Sequence, residues 1–429
     1  MPYSQSRTSC EIIHDPDYVK QPGVSPAGPV EVDLSHPDPA SVVNAFLRNR
    51  WRDIVREPRG ELTRPFLVPG SVYEQLWDWD AFFIACGLPD EGLEYGRGSI
   101  LNLLDGVRED GRPPKMGKPD GTYIYTPSPI PVHAQFVYLM AKRMHDFSWA
   151  EGAWKDLVAI RHWYERECRR RGNYFVWPTF RGNGIDNNPA VYGRPAWTSA
   201  GIDLAVWHCR EYHALASLAG ALNRNDSALY REKALAQSDL IRTRYWDRVD
   251  AFFYAVDCSV SEEQTSIQKV TWETYLKFRN WVSIFPLWAD AADAEQTEAV
   301  ITRFLDGEEF WSPNGIRSLS ALDPLYNNVP MGNPSNWQGP VWGLSTLLTA
   351  YVLRRCGYED QARETTRRLL CTMAGDIEQN GTIHEYYHGH TGQPVMKPDF
   401  LSWNLLALGI LDHLEAGRDP TTLDLVVCE

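Results

Sequence analysis

"VWGLSTLLTAYVLRRCGYEDQARETTRRLLCTM", residues 341–373, contains two helical segments of different character joined by a short turn, "RCGYED" at 355–360. The first, from Val341 to Leu353, is apolar on most of its circumference, and a helix apolar all round must be buried. The second crowds Arg363, Arg367 and Arg368 on one side and sets Ala362, Leu369, Leu370 and Met373 on the other, as in a helix that covers a core from outside.

The same alternation runs along the chain. Amphipathic segments fall near 40–55, 91–106, 150–170, 225–245, 294–306 and 358–374, and more fully apolar ones near 75–88, 130–144, 198–220, 272–289, 338–354 and 399–415. Six such pairs predict an all-α fold, an (α/α)6 barrel with an inner ring of six helices inside an outer six. Connections from an inner helix to the next outer one are short, whereas those from outer to inner are long, roughly 107–129, 171–197, 246–271, 307–336 and 375–398. Long loops in compact domains are usually functional. Here they would all emerge on one face, at the N-terminal ends of the inner helices, and that face is the expected active site.

With 43% hydrophobic and 23% charged residues, the 429-residue chain has the composition of a soluble globular protein. No linker-like run divides it, so one barrel over 39–429 is expected, preceded by a Pro-rich, surface-wrapping extension over 1–38. A net charge of −14 and a pI near 5.3 argue against a nucleic-acid partner, which would require a basic face. The eight cysteines show no paired spacing and read as reduced, mostly buried thiols. Neither a signal-peptide apolar region nor a membrane-length apolar run is visible, so a cytoplasmic protein with no membrane partner is expected. The 17 Trp and 20 Tyr are core filler first, but aromatic faces also stack on sugar rings.

Residues 380–392, "NGTIHEYYHGHTG", contain the H-E-x-x-H pattern of zinc proteases in His384, Glu385 and His388. That chemistry needs both histidines on one helix face. Gly381 and Gly389 leave too little uninterrupted sequence for such a helix. Thr391 and Pro394 also stand where an extended metal-binding pattern needs Gly and a third His. No metal and no cofactor is expected. Glu385 has a better reading, because its loop precedes the sixth inner helix while the loop "FRGNGIDNNPAVYGRP", with Asp186, precedes the third. On a ring of six these positions lie opposite each other. Two facing carboxyl groups are what glycoside hydrolysis requires, one to protonate the leaving oxygen and one to act from the other face of the sugar. Loops facing each other across a cavity suit the wider spacing, roughly 6.5–9.5 Å, that admits a water and inverts the anomeric centre.

The stretches "YEQLWDWDAFF" (73–83), "GNGIDNNP" (182–189), "NWQGPVW" (336–342) and "EYYHGHTG" (385–392) resemble, in order, the motifs of glycoside hydrolase family 63. The likeness is greatest to its small bacterial mannosylglycerate and glucosylglycerate hydrolases. The resemblance implies an inverting α-glycosidase on an (α/α)6 barrel, with Asp186 as general acid and Glu385 as general base. It also implies a sugar subsite lined by Tyr73, Trp77, Trp79 and Asp80, and a wall of Trp337, Gln338, Gly339 and Trp342. Gln135, Asp203 and Tyr387 are further candidate substrate contacts by location, and Asn187 is another candidate. The chain departs from the family pattern after the acid, in "DNNP", and before the Thr-Gly step, in "HGHTG"; both places border the leaving group. A glycerate leaving group calls for a cation, with Arg194 the first candidate and Lys115 and Lys118 next. Asp186 is expected to be buried and protonated near neutral pH, and Glu385 ionised. The alternatives are a trehalase-like enzyme for a neutral disaccharide, a carbohydrate-binding protein without catalysis, and a zinc peptidase.

Overall fold

The computed structural model describes residues 33–179, 182–259, 274–328 and 335–423. Apart from 33–38, the expected N-terminal extension lies outside the described residues. Within 33–38, the His36 ring meets Glu378 at 3.1 Å and the Leu34 carbonyl accepts from Arg367, so this segment lies on the last long helix.

Twelve α-helices are present among the described residues: α1 Pro39–Arg50, α2 Asp78–Gly87, α3 Leu93–Asp105, α4 His133–Arg143, α5 Ala150–Glu167, α6 Ile202–Ala221, α7 Ser227–Arg244, α8 Phe285–Trp288, α9 Ala294–Phe304, α10 Gly343–Arg355, α11 Glu359–Asn380 and α12 Ile410–Glu415. Their ends carry the expected signals. Asp38 caps α1 ahead of Pro39, Asp293 and Gln296 form a reciprocal capping box on α9, and α11 stops at Gly381 in the left-handed conformation. Every residue from Gly343 to Leu353 is buried, whereas α11 buries one face only.

The buried helices pack in sequence, α2 on α4, α4 on α6, and α6 on α8 with its 3-10 lead-in Trp281–Ile284. That lead-in touches α10, α10 touches the 3-10 segment Ser402–Ala407, and this segment returns to α2. Aromatic side chains fill the space between them, Phe83 lying 5.9 Å from Trp207 and Trp207 5.7 Å from Phe285, ring centre to ring centre. One contiguous apolar core reaches all of these helices.

Two inner segments are shorter than expected. The helix anticipated over 272–289 is a strand, Thr274–Leu276, followed by a helical stretch only from Trp281. The one anticipated over 399–415 is broken at Gly409, where φ is +69°. The backbone of Leu405 lies where a Cβ on Gly87 would be, and the Asn404 side chain where a Cβ on Gly343 would be. The 402–407 segment thus wedges between α2 and α10 through two glycines.

The fold is also not purely helical. Three three-stranded antiparallel sheets form among the long loops, beside smaller two-stranded ones: Leu76–Trp77 with Met116–Gly117 and Tyr123–Ile124; Ser199–Ala200 with Ala255–Asp257 and Thr274–Leu276; Val341–Trp342 with Tyr386–Tyr387 and Pro394–Val395. In each, the strand leading into one buried helix pairs with the loop that precedes the next buried helix. The loops thereby satisfy backbone groups that the helices cannot, and are fastened to one another at the helix N-termini. Cys86, Cys168, Cys209 and Cys371 are buried and unpaired, and Cys258 and Cys356 are half-buried and not in disulfides. Cys10 and Cys428 lie outside the described residues. Among the described residues, no helix is long and apolar enough to cross a membrane.

Candidate active site

The turn that presents Asp186 is built from asparagine side chains imitating backbone. Asn183 Oδ1 accepts the Ile185 N–H at 3.2 Å, and Asn188 Oδ1 accepts the Ala190 N–H at 3.0 Å. Gly184, with φ +84°, lies against the Trp79 indole so closely that a Cβ would fall 2.5 Å from the ring. Asn187 ties the turn to the loop before α10. Its amide donates to Asn336 Oδ1 at 2.9 Å, its side-chain oxygen accepts the Trp337 N–H at 2.7 Å, and its carbonyl accepts from Gln338 Nε2 at 2.9 Å. Gln338 uses its other end on Asn327, and Asn336 also donates to Asn327. Asn187 and Gln338 therefore position the Asp186 turn. Asp203, at the start of α6, accepts from the Trp177 indole and Asn183, supporting the same turn from below.

Glu385 is buried and accepts the Tyr73 hydroxyl at 2.6 Å, while its N–H donates to the Lys397 carbonyl at 3.0 Å. Burial drives its carboxyl up to about 8, Asp186 and Asp80 adding to the rise while Tyr73 and Lys397 oppose it. Asp80, on α2, accepts the Ser402 hydroxyl at 2.9 Å, and burial pushes it up to about 7. Burial and the neighbouring carboxyl groups thus disfavour the ionised forms of both Asp80 and Glu385, which reach this place from α2 and from a distant loop. The expected order of burial is reversed here. Asp186 is only half-buried, and Glu385 is the carboxyl group most removed from water. The Asp186 turn is set by asparagine hydrogen bonds, whereas Glu385 directly precedes the buried strand Tyr386–Tyr387.

Aromatic rings surround this group. Trp79 lies 5.3 Å from Trp403 and 6.1 Å from Trp337, and Tyr73 meets Phe400 edge-on at 5.8 Å. Trp342 forms a second layer, stacked on Trp337 at 3.8 Å with its indole N–H on the Asn336 carbonyl. Trp77 is half-buried at the end of the strand before α2. Gly339, at φ +155°, donates its N–H to Ser318 and leaves no room for a side chain beside the Asn327 carbonyl.

Several expected contacts lie elsewhere. Gln135 is fully buried and spends its amide on Pro131, Glu211 and Arg210, so it joins α4 to α6. Tyr387 turns to Asp376 on α11, its hydroxyl donating at 3.0 Å. Arg194 is held by Asp257 at 2.5 Å and by Ser199, and Lys115 by Asp78 at 3.0 Å in a buried pair. For Gln135, Arg194 and Lys115 a competing partner lies far away in sequence, in Glu211, Asp257 and Asp78. Three residues were missed: Ser402, Asn336 and Lys397. Ser402 is a polar position interrupting an apolar run, Asn336 begins the quoted "NWQGPVW", and Lys397 carried no local signal.

His384, Glu385 and His388 do not converge. The His384 ring engages Asp376 at 2.9 Å, Glu385 meets Tyr73, and His388 Nδ1 accepts the backbone N–H of His390 and Thr391. Tyr386–Tyr387 between them is a strand, which extends about 3.3 Å per residue and carries the two histidines apart. Among the described residues, no group of three or more His, Cys, Asp or Glu is arranged to hold a metal ion.

The chain is similar to known glycosidases. The chain is 23% identical to the glucosylglycerate hydrolase of Mycolicibacterium hassiacum, over 80% of this chain and 92% of that one. It is 26% identical to a probable mannosyl-oligosaccharide glucosidase of Schizosaccharomyces pombe over 58% of this chain, but spans only 31% of that longer protein. In fold it is similar to the GH63 mannosylglycerate hydrolase of Thermus thermophilus solved with glucose, with a TM-score of 0.67 at 20% identity, covering 85% of this chain and 99% of that one. The neutral trehalase of Saccharomyces cerevisiae shares the fold with a TM-score of 0.62 at 14% identity, over 90% of this chain and 84% of that one. Residues 73–403, which contain the three carboxyl groups, their aromatic surround and both anchoring loops, match the family described as the mannosylglycerate hydrolase MGH1-like glycoside hydrolase domain, and the chain belongs to that family of glycosidases.

Proposed function

We propose that this protein is an inverting α-glycoside hydrolase for a small α-glucoside or α-mannoside, with glucosylglycerate or mannosylglycerate as the best-fitting substrate. The observation that carries this reading is the joining of the two carboxyl-bearing loops: Asn187, next to Asp186, accepts the Trp337 N–H, and the strand Val341–Trp342 that follows pairs with Tyr386–Tyr387, directly after Glu385. The closed succession of buried helices supports an (α/α)6 barrel over 39–429 with its long loops on one face. A cytoplasmic location accords with the free thiols.

In the proposed step, Asp186 gives its proton to the glycosidic oxygen as the bond from that oxygen to the anomeric carbon breaks. Glu385 takes a proton from the water whose oxygen bonds to the opposite face of that carbon. Water is consumed, and the products are a β-sugar and the free alcohol. Tyr73, Trp77, Trp79 and Asp80 would bind the sugar, backed by Trp337 and Trp342, while Asn187, Gln338 and Gly339 hold the walls. Asp80, raised to about 7, can both accept and donate to hydroxyls near neutral pH.

The direct test is a proton NMR time course with α-glucosylglycerate, α-mannosylglycerate and trehalose, with and without EDTA. The expected result is β-sugar as the first product from one glycerate substrate, at a rate indifferent to EDTA. First release of α-sugar would overturn the inverting assignment, and loss of activity in EDTA would overturn the metal-free mechanism. The trehalase-like alternative is favoured by one observation, the engagement of Arg194 by Asp257, and cleavage of trehalose alone would select it.

A pH profile gives a second test. The productive form carries one proton on the Asp186–Glu385 pair, so kcat/KM should be bell-shaped, with an alkaline limb near 8 where the last proton leaves. Tyr73→Phe removes a hydrogen bond that favours ionised Glu385, so this limb should move to higher pH. Asp80→Asn removes a neighbouring negative charge, so the limb should move to lower pH. Shifts of the opposite sign would show that the limb does not belong to Glu385.

A further inference from the structure

The proposed base is flanked by two residues that are tied to one buried carboxylate, which the proposed step does not use. Asp376 lies one turn from the C-terminal end of α11 and is wholly buried. Its Oδ2 accepts the His384 backbone N–H at 3.0 Å and the Tyr387 hydroxyl at 3.0 Å. The His384 Nδ1 lies 2.9 Å from the same oxygen, and Oδ1 accepts from the Asn380 amide at 2.8 Å. Three of these four groups belong to residues 384–387, which bracket Glu385. The end of a helix where its free carbonyl groups gather is a poor place for a negative charge, and a buried carboxylate there needs donors. Asp376 finds most of them on the base strand.

Glu385 is also fixed from the other side. Its N–H donates to the Lys397 carbonyl at 3.0 Å, its carboxyl accepts the Tyr73 hydroxyl at 2.6 Å, and Tyr386 and Tyr387 pair with Val395 and Pro394. Those bonds set the strand within its own sheet. The bonds to Asp376 join that sheet to α11, which packs on α10 and α1, and so carry the position of the helix layer to the base.

We propose that Asp376 is a positioning residue, which sets where the Glu385 carboxyl stands against the sugar by holding His384 and Tyr387. The histidine that opens "HEYYH" is then a brace for the base and not a metal ligand. A general base must stand within hydrogen-bond reach of the water it deprotonates, and a displacement of about 1 Å can cost roughly 10²-fold. The proposal rests on the glycosidase reading, and one arm of its test does not need that reading.

Asp376→Asn keeps the shape of the side chain but removes the charge and one acceptor. Its kcat on an α-glycosyl fluoride, a substrate reactive enough to keep the residual rate of Glu385→Gln measurable, should fall about 10- to 100-fold, with KM altered by less than about threefold. Tyr387→Phe removes one donor and leaves Asp376 and His384 in place, and should lower kcat by about 3- to 10-fold. Each substitution is then repeated in Glu385→Gln. With the carboxylate of Glu385 gone there is no base to position, and each further loss should shrink to about twofold or less. Equal losses in the two backgrounds would mark general damage to the fold, and that result, or wild-type kcat in Asp376→Asn, overturns the proposal. If Asp376→Asn does not fold, Tyr387→Phe carries the same comparison. The arm independent of catalysis is amide hydrogen exchange over residues 383–388, which should be at least about tenfold faster in Asp376→Asn than in wild type, with α6 unchanged. Unchanged exchange overturns the proposal. Faster exchange in a protein that cuts no glycoside would support the brace and sink the glycosidase reading.

Discussion

Glu385→Gln is expected to lower kcat by roughly 10²- to 10⁴-fold, the usual worth of a general base, on natural glycosides and on substrates with better leaving groups alike. The loss is general because the attacking water must be deprotonated whatever departs. Folding stability should move the other way. Wild-type Glu385 has its carboxyl raised from an ordinary 4.5 to about 8, so the protonated form is the one the fold favours. Its contribution is fully present below 4.5 and is lost as pH rises through 8. A glutamine keeps an oxygen to accept the Tyr73 hydroxyl and has no proton to lose. The Tm of Glu385→Gln should therefore equal or exceed that of wild type, with a difference that widens between about pH 5 and 8. A variant that is inactive because it is unfolded, or one that keeps wild-type kcat, would remove Glu385 from the role.

Asp186→Asn should show the complementary pattern. On a glycerate glycoside the leaving oxygen needs a proton, and kcat should again fall roughly 10²- to 10⁴-fold. On the corresponding α-glycosyl fluoride the leaving group departs as an anion without protonation, and the loss should shrink to about tenfold or less. The substitution is mild structurally. Asp186 is half-buried, and the turn around it is held by Asn183, Asn187 and Asn188. Equal losses on glycoside and fluoride would show that Asp186 is not the acid. The ratio of the two losses, compared between Asp186→Asn and Glu385→Gln, is what distinguishes the two roles.

Much of the fold was legible in the sequence because its signals are local. Apolar periodicity marked the buried and half-buried helices to within a few residues, apart from the two stretches around 272–289 and 399–415 and the end of α11, which runs on to Asn380 where a loop was expected from 375. The two stretches failed for reasons outside the helix pattern. A strand pairing across 255–257 claims 274–276, and the 402–407 segment must wedge past Gly87 and Gly343. The small sheets were invisible because strands of two or three residues have no periodicity to read.

The site divides in the same way. That Asp186 and Glu385 stand on loops before the third and sixth buried segments followed from counting elements along the chain, since element order is a property of sequence. So did the case against a metal at "HEYYH", which needs a helix that Gly381 and Gly389 deny. What the sequence could not determine was which side chains remain available. Arg194 is taken by Asp257, Gln135 by Glu211 and Arg210, Tyr387 by Asp376, and Tyr73 reaches Glu385 from 312 residues away. Depth also belongs to the tertiary structure, and depth decides that Glu385, not Asp186, is the more buried of the two. Charge pairing and desolvation act through space at a few ångströms, between groups whose separation along the chain carries no trace of it. Only the folded chain brings them together.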